Sequence, residues 1–175
     1  MKIGLIRHFS VKHAFPGKTF LYYEELVRWF EEYDAADIDY AVVDLCGINW
    51  HVCYSSATSR AVKTAEHIFD GNIIQLEELR ELQFLPLVNT KLKLPLFLWA
   101  MFIRNRALSS NALTNEMITR LRSFVNTLMN NKNKNVLICS HGFVMMFLQK
   151  ELIRRGFNGD KFNTPANGRI YLFEK

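Results

Sequence analysis

Apolar and polar residues follow one another in blocks that predict strands and helices in turn. Short apolar runs predict buried strands in "IGLI", "HVCYSS", "NIIQL", "NVLICS" and "GRIYLF". Helical spacing predicts helices over residues 21–33, in "ATSRAVKTAEHIF", over residues 114–129 and in "GFVMMFLQKELIRRG", the last one closed by Gly156. Strands that alternate with helices predict an α/β fold, in which helices cover both faces of a mostly parallel central sheet.

Two segments depart from this alternation. "YAVVDLCGINW" fits either a short strand or irregular structure, and residues 86–111 are irregular in pattern and rich in Leu, Phe and Trp. We expect one domain over residues 1–175 with a lid insertion at residues 82–113. The longest apolar run, "LPLFLWAMFI", is about half of the roughly 20 residues that a membrane-spanning helix needs, so no membrane span is predicted. This run fits a core, surface-contact or interfacial segment.

The cysteines and the N-terminus favour a cytoplasmic protein. The chain has three cysteines, an odd number, in apolar surroundings and without a C-x-x-C pair, which fits reduced thiols better than disulfides. The apolar stretch that precedes Arg7 is too short for the apolar region of a signal peptide.

The charge favours a small anionic partner. The net charge is +5, from 22 Lys and Arg against 17 Asp and Glu. These basic residues are scattered, whereas nucleic-acid binding usually needs a basic patch, so we predict no nucleic-acid partner. A small phosphorylated substrate needs only a few convergent arginines. The oligomeric state is left open by the sequence.

Reactive side chains follow three of the predicted strands. "LIRH" ends the first strand, "CYSSATSR" leaves the second, and "LICSHG" ends the strand before the last helix. In open α/β sheets, ligands bind outside the carboxyl ends of the strands. We therefore expect four residues to converge on one crevice: Arg7, His8, Arg60 and His141.

These residue types suit phosphoryl transfer. Two guanidinium groups can bind the oxygens of a phosphoryl group and stabilise their charge during transfer. A histidine close to two positive charges stays largely neutral, and its free ring nitrogen can act as a nucleophile. "LEELRELQF" offers Glu77, Glu78 and Glu81 as candidate acids for the leaving alcohol. There is no metal-ligand spacing such as H-E-x-x-H.

Taken together, "LIRH", "YSSATSRAVKTAEHI", "LRELQF" and "VLICSHGFVMMFL" resemble the motif blocks of the histidine phosphatase superfamily, in matching order. The resemblance implies the phosphoglycerate mutase-like three-layer sandwich and a metal-independent phosphatase, a phosphoric monoester hydrolase without cofactor. It also implies roles for individual residues. His8 would be the catalytic nucleophile that forms a phosphohistidine intermediate, Glu81 the catalytic proton donor, and Arg7, Arg60 and His141 phosphate-binding partners, with His141 also catalytic.

The chain departs from the family pattern around the nucleophile. Phe9 stands where the family usually has glycine, so we expect Phe9 to adopt an ordinary backbone conformation or to turn its ring away from the pocket. In the following loop, Ser10 and His13 are candidate substrate contacts. Arg104, in the lid segment, is a third.

Three other functions stay open from the sequence. A phosphomutase would return the phosphoryl group to a second position of its substrate, and a phosphohistidine-protein phosphatase would act on a protein. A non-catalytic phospholigand-binding or interaction protein would have lost its activity through Phe9 and the altered loop. Glu81 favours an alcohol leaving group, which needs protonation.

Overall fold

The structure is a computed structural model that describes residues 1–14, 16, 20–81, 92–109, 111–130 and 134–175. These residues contain one six-stranded sheet. Its strands are β1 (Lys2–Arg7), β2 (Val52–Ser56), β3 (Ile73–Leu76), β4 (Val136–Ser140), β5 (Asn158–Gly159) and β6 (Ile170–Glu174). They lie in the order β3-β2-β4-β1-β6-β5. Neighbouring strands are parallel in the pairs β3–β2, β2–β4 and β4–β1, whereas β6 is antiparallel to both β1 and β5.

Five helices accompany the sheet within the described ranges. They are α1 (Tyr23–Ala35), α2 (Ser59–Ile68), α3 (Leu96–Ser109), α4 (Asn111–Asn130) and α5 (Gly142–Arg154), and a short 3-10 turn spans Glu77–Leu79. Helix α5 closes at Gly156, which has a positive φ of 84°. The predicted α/β fold with a mostly parallel sheet is confirmed.

Side chains alternate between the two faces of the sheet, and each face has its own core. On one face, Ile3 and Leu5 pack with residues of α4 and α5 such as Leu121 and Leu148. On the other face, Ile6 packs with Ala61 and other residues around α2. Parallel strands that are covered on both faces are apolar at nearly every position, which explains the continuous runs in the sequence.

The irregular pattern of residues 86–111 did not predict a helix, but α3 spans Leu96–Ser109. Trp99 on this helix is fully buried with Leu21 and Leu26, whereas Phe97 and Met101 are exposed. Since apolar residues occur on both the buried and the exposed sides, the helix has no clear apolar stripe that the sequence could display. The ambiguous segment "YAVVDLCGINW" contains a turn at Cys46 and Gly47 and no strand.

The predicted lid over residues 82–113 falls partly on residues 82–91 and 110, which lie outside the described residues. Within the part of the chain that the structure describes, no helix has the length and apolar character that crossing a membrane requires.

Candidate active site

Arg7 is the last residue of strand β1, which lies in the middle of the sheet between β4 and β6, and His8 follows directly. The backbone N–H of His8 donates to the carbonyl of Ser140 over 3.0 Å, which continues the pairing with β4. The side-chain amide of Asn167 donates to the carbonyl of His8 over 2.7 Å, and the N–H of Gly168 donates to the carbonyl of Arg7 over 2.9 Å. The two residues are therefore fixed by backbone hydrogen bonds on both sides.

The hydrogen bond of the His8 ring defines its tautomer. Nδ1 lies 2.7 Å from the carbonyl oxygen of Phe9, and a carbonyl can only accept, so Nδ1 carries the proton and Nε2 has a free lone pair. The pKa of His8 is lowered from 6.5 to about 3, mainly by burial and also by the charges of Arg60 and Arg7, against the raising effect of that hydrogen bond. His8 is therefore a neutral imidazole at cellular pH.

Phe9 has an ordinary backbone conformation and turns its ring into the protein interior. Of the non-glycine residues that the structure describes, only Cys46 has a positive φ. The Phe9 ring is almost fully buried and makes an edge contact with the ring of His67, at a centroid distance of 5.6 Å. The backbone N–H of Phe9 donates to the hydroxyl of Thr64 over 3.0 Å. Both expectations for Phe9 are therefore met, and its carbonyl stays in place for His8.

Gly168 makes room for the Phe9 ring. A Cβ at this position would lie 2.8 Å from Cδ1 of Phe9, and Gly168 has a φ of +66°. The chain thus has Phe9 instead of glycine after His8, and it has a glycine, Gly168, at the position that the Phe9 ring contacts.

His141 precedes helix α5 as its N-cap residue, and its ring lies 5.1 Å from that of His8 between centroids. Nε2 of His141 is 2.9 Å from the hydroxyl of Ser56 and 3.2 Å from that of Thr58. Nδ1 has no hydrogen-bond partner among the described residues. Burial lowers the pKa of His141 from 6.5 to about 2, with Arg60 as the next cause, so this ring is also neutral.

Two arginines lie beside the two histidines. Nη1 of Arg7 donates to the carbonyl of Pro165 over 3.0 Å, and Cζ of Arg7 would be 3.6 Å from a Cβ at Gly142, the first residue of α5. Arg60, on the first turn of α2, is buried and donates through Nη1 to the carboxylate of Asp34. Within the described ranges, Nε of both arginines lacks an acceptor, so each guanidinium has N–H capacity left for an anion.

Glu81 lies next to His141. It follows the 3-10 turn, and Oε2 is 3.9 Å from Nδ1 of His141, while Oε1 is 3.4 Å from the backbone N–H of Phe143. Desolvation raises the pKa of the Glu81 carboxyl group, although Arg60 acts in the opposite direction. Of the other candidate acids, Glu77 pairs with Arg80 at the surface, and Glu78 is exposed.

The structure thus brings Arg7, His8, Arg60, His141 and Glu81 to one edge of the sheet. Ser10 is exposed and accepts a backbone hydrogen bond from Asp39. His13 is half-buried among aromatic rings, and the side chain of Arg104 lies outside the described residues.

Sequence reasoning missed several contacts of the site. Asp34 and Tyr33 are ordinary residues of an amphipathic helix in the sequence, and Asn167, directly before the last predicted strand, was not singled out as a site residue. Only Ser56 and Thr58 carried a signal, because they lie inside the "YSSATSR" block; neither caps α2 through its side chain. Their observed partner is His141.

A buried pair of neutral histidines flanked by two arginines, at the carboxyl edge of a parallel sheet, has the chemistry to bind an anionic phosphoryl group. The sequence profile of the histidine phosphatase superfamily (branch 1) matches residues 38–174, so the chain belongs to this superfamily. The match begins after β1, and the placement of Arg7 and His8 in the site therefore rests on the structure. A search of curated protein sequences gave no match.

Solved structures support the fold. Phosphoglycerate mutase from Bacillus anthracis is 17% identical, with 99% of this chain and 91% of that chain covered and a TM-score of 0.55. Mycobacterial glucosyl-3-phosphoglycerate phosphatase is 14% identical, with 87% and 79% covered and a TM-score of 0.53. Phosphoserine phosphatase from Entamoeba histolytica, solved with 3-phosphoglyceric acid, is 19% identical, with 87% and 80% covered and a TM-score of 0.50. The resemblance inferred from the motifs is confirmed at the level of family and fold.

Both site histidines are expected to stay neutral in mildly acidic solution. Their pKa values of about 3 and about 2 predict that the ring ¹⁵N shifts of His8 and His141 do not change between pH 7 and pH 4.5. In urea-unfolded protein the same rings should titrate near pH 6.5. Because only the unfolded chain then binds these protons, the free energy of unfolding should decrease as the pH falls below about 6.5. Titration of either ring near pH 6.5 in the folded protein would contradict this prediction.

Phe9 and Gly168 are expected to be energetically coupled. Phe9→Gly removes a buried ring and should cost about 3–5 kcal/mol, and Gly168→Ala should cost about 1–3 kcal/mol through strain and contact with that ring. In the double variant the contact is gone, so its cost should be lower than the sum of the single costs by about 1 kcal/mol or more. Urea unfolding of the four proteins measures this difference. Costs that add to within about 0.3 kcal/mol would contradict the coupling.

Proposed function

We propose that the protein is a metal-independent phosphomonoesterase that works through a phosphohistidine intermediate on a small phosphorylated substrate. The observation that carries the proposal is His8: its Nδ1 proton is held by the carbonyl of Phe9, and its ring is buried and neutral beside two arginines. This arrangement leaves Nε2 as an unprotonated nucleophile close to groups that bind phosphoryl oxygens.

In the first proposed step, the Nε2 lone pair of His8 attacks phosphorus, and the bond between phosphorus and the leaving oxygen breaks. The ring becomes positively charged, and the carbonyl of Phe9 stabilises that charge through Nδ1–H. The free N–H groups of Arg7 and Arg60 bind the phosphoryl oxygens. Hydroxyl groups of Ser56 and Thr58 can donate to Nε2 of His141, which directs its Nδ1–H to the phosphoryl group.

Glu81 supplies the proton for the leaving alcohol in the same step. Its raised pKa increases the protonated fraction near neutral pH, which general acid catalysis requires. In the second step a water molecule attacks phosphorus, Glu81 takes a proton from that water, and the bond between nitrogen and phosphorus breaks. The products are inorganic phosphate and neutral His8, so both the protein and its protonation state are restored.

The arginines would perform the charge neutralisation that a divalent cation performs in many phosphoryl-transfer enzymes. Their positive charges also disfavour a cation at the same place. Within the described ranges, no group of three or more His, Cys, Asp or Glu side chains is arranged to hold a metal ion.

Membership of the superfamily and the likeness to mutase and phosphatase structures support a phosphatase or a mutase. We favour hydrolysis because its second step needs only water as the acceptor, whereas a mutase must also bind a second hydroxyl group of its substrate. The predicted lid is the segment at residues 82–113. A lid function for that segment, and roles for Ser10 and Arg104 in substrate binding, stay predictions.

His8→Ala is expected to abolish turnover. With p-nitrophenyl phosphate and a panel of natural phosphomonoesters, in the presence of EDTA, the variant should lose at least about 10³-fold in kcat, because no other described group replaces the nucleophile. The intermediate is measured by ³²P labelling of the protein. The label on the intact protein should be labile in acid and stable in base, and it should be absent from the variant. His51→Ala is the matched control, since His51 is exposed and lies before β2, at the opposite edge of the sheet.

Several outcomes would count against the proposal. Absence of turnover by the intact protein on every phosphoester would refute an enzymatic role, and activity that EDTA removes would refute the metal-independent mechanism. Transfer of the phosphoryl group to a second hydroxyl, without release of phosphate, would identify a mutase.

Glu81→Gln is expected to impair poor leaving groups selectively. An alkoxide needs a proton in the transition state, whereas p-nitrophenolate does not, so kcat/KM should fall about 10²-fold or more for an alkyl phosphate and only a few-fold for p-nitrophenyl phosphate. Glu78→Gln, at an exposed neighbouring glutamate, is the control. Equal losses for both substrates would place the proton donor elsewhere.

A further inference from the structure

Three half-buried aromatic rings form a cluster beside Arg60. Trp29 and Tyr33 lie one turn apart on α1 and stack with centroids 5.5 Å apart. The ring of His13, from the loop after His8, lies 5.3 Å from Trp29 and 6.4 Å from Tyr33. We call these three residues the aromatic wall. The proposed binding of a phosphoryl group gives no role to the aromatic wall, since none of its three residues is hydrogen-bonded to His8 or His141 in the described part of the chain.

The wall is joined to the phosphoryl-binding site through Arg60. The guanidinium carbon of Arg60 lies 5.4 Å from the centroid of the Tyr33 ring, and the next residue, Asp34, accepts a hydrogen bond from the same guanidinium. A cation above an aromatic face is attractive, so Tyr33 and Asp34 together fix Arg60 against the end of α1. Any phosphoryl group that Arg60 binds is therefore close to Tyr33.

Backbone hydrogen bonds fix the wall relative to the nucleophile. The N–H of Lys12 donates to the carbonyl of Asp37, and the N–H of Asp39 donates to the carbonyl of Ser10, each over 2.7 Å. These bonds connect the loop after His8 to the segment after α1. The rings of His13 and Tyr33 thus belong to two segments that cannot separate without breaking backbone hydrogen bonds.

The leaving group is expected on the same side as the wall. Glu81, the proposed proton donor, must lie next to the leaving oxygen. Burial raises the pKa of Tyr33, and Arg60, Arg7 and Glu81 lie near enough to this tyrosine for their charges to act on it. The part of the substrate beyond the leaving oxygen then has Tyr33 as its neighbour.

We propose that the aromatic wall binds an aromatic ring in the leaving group, so that the substrate class is phosphomonoesters of ring-bearing alcohols. The inference rests on the proposed function, because that function orients the substrate. Aromatic rings prefer to pack edge to face or offset against one another, and such pairs gain more than the burial of equal apolar area. Tyr33 is the expected specificity residue because it contacts Arg60, and the rings of His13 and Trp29 pack against it.

Binding of two phosphonates tests the wall without requiring turnover. Benzylphosphonate and cyclohexylmethylphosphonate have the same charge and similar size, and differ in whether the ring is aromatic. By isothermal titration calorimetry, the intact protein should bind benzylphosphonate about five-fold more tightly. Tyr33→Leu should reduce this preference to less than about two-fold, and Trp29→Leu should reduce it partly. Tyr22→Leu, at an exposed tyrosine that precedes α1, should retain it.

The outcomes separate this inference from the proposed function. Equal affinity for the two phosphonates, or an unchanged preference in Tyr33→Leu, would overturn the wall even if p-nitrophenyl phosphate is hydrolysed. The expected preference, lost in Tyr33→Leu, would support the wall even if no phosphoester is turned over. Failure of both phosphonates to compete with inorganic phosphate would overturn it as well. Circular dichroism and thermal unfolding of each variant identify a loss of folding, and Tyr33→Phe, which keeps the ring, should restore the preference.

Discussion

The parallel pairing of β1 with β4 determines where every group of the site lies. In this register Arg7 is opposite Ser140, so His8 and His141 each follow directly at the same edge of the sheet. Pairing of β2 with β4 brings Ser56 to the same edge, within hydrogen-bonding distance of His141. A shift of the register by one residue would move each of these side chains to the other face of the sheet. The side chains of the strands pack in two separate cores, one on each face of the sheet, and such a shift would disrupt the packing of both cores.

Burial gives these histidines their chemical character. A buried imidazole would be expensive to protonate, and two adjacent arginines increase that cost, so the pKa values of both rings lie far below 6.5. The same burial raises the pKa of Glu81. One environment therefore lowers the pKa of His8 and raises the pKa of Glu81, which are the directions that the proposed nucleophile and the proposed acid need. The arginines have two effects on the site: they add to the lowering of the His8 pKa by burial, and they offer N–H groups that can bind an anion.

Phe9 shows how a substitution in a motif can be accommodated by a distant part of the chain. The backbone carbonyl of residue 9 accepts from Nδ1 of His8, and this hydrogen bond does not depend on the side chain of residue 9. The Phe9 ring needs space, which Gly168 provides because it has no Cβ, and the ring packs edge to face against His67. The departure from the family pattern is therefore compatible with the geometry of the histidine.

The sequence by itself determined the alternation of strands and helices, the mostly parallel sheet, and the strand exits at or after which Arg7, His8, Arg60 and His141 lie. It could do so because period and strand boundaries are local properties of the chain. It missed α3, whose apolar residues have no single face, and could not show the contact of Phe9 with Gly168 or the wall beside Arg60. Only the tertiary structure decided these features, because they depend on distances between segments that are far apart in sequence and on which side chains are removed from water.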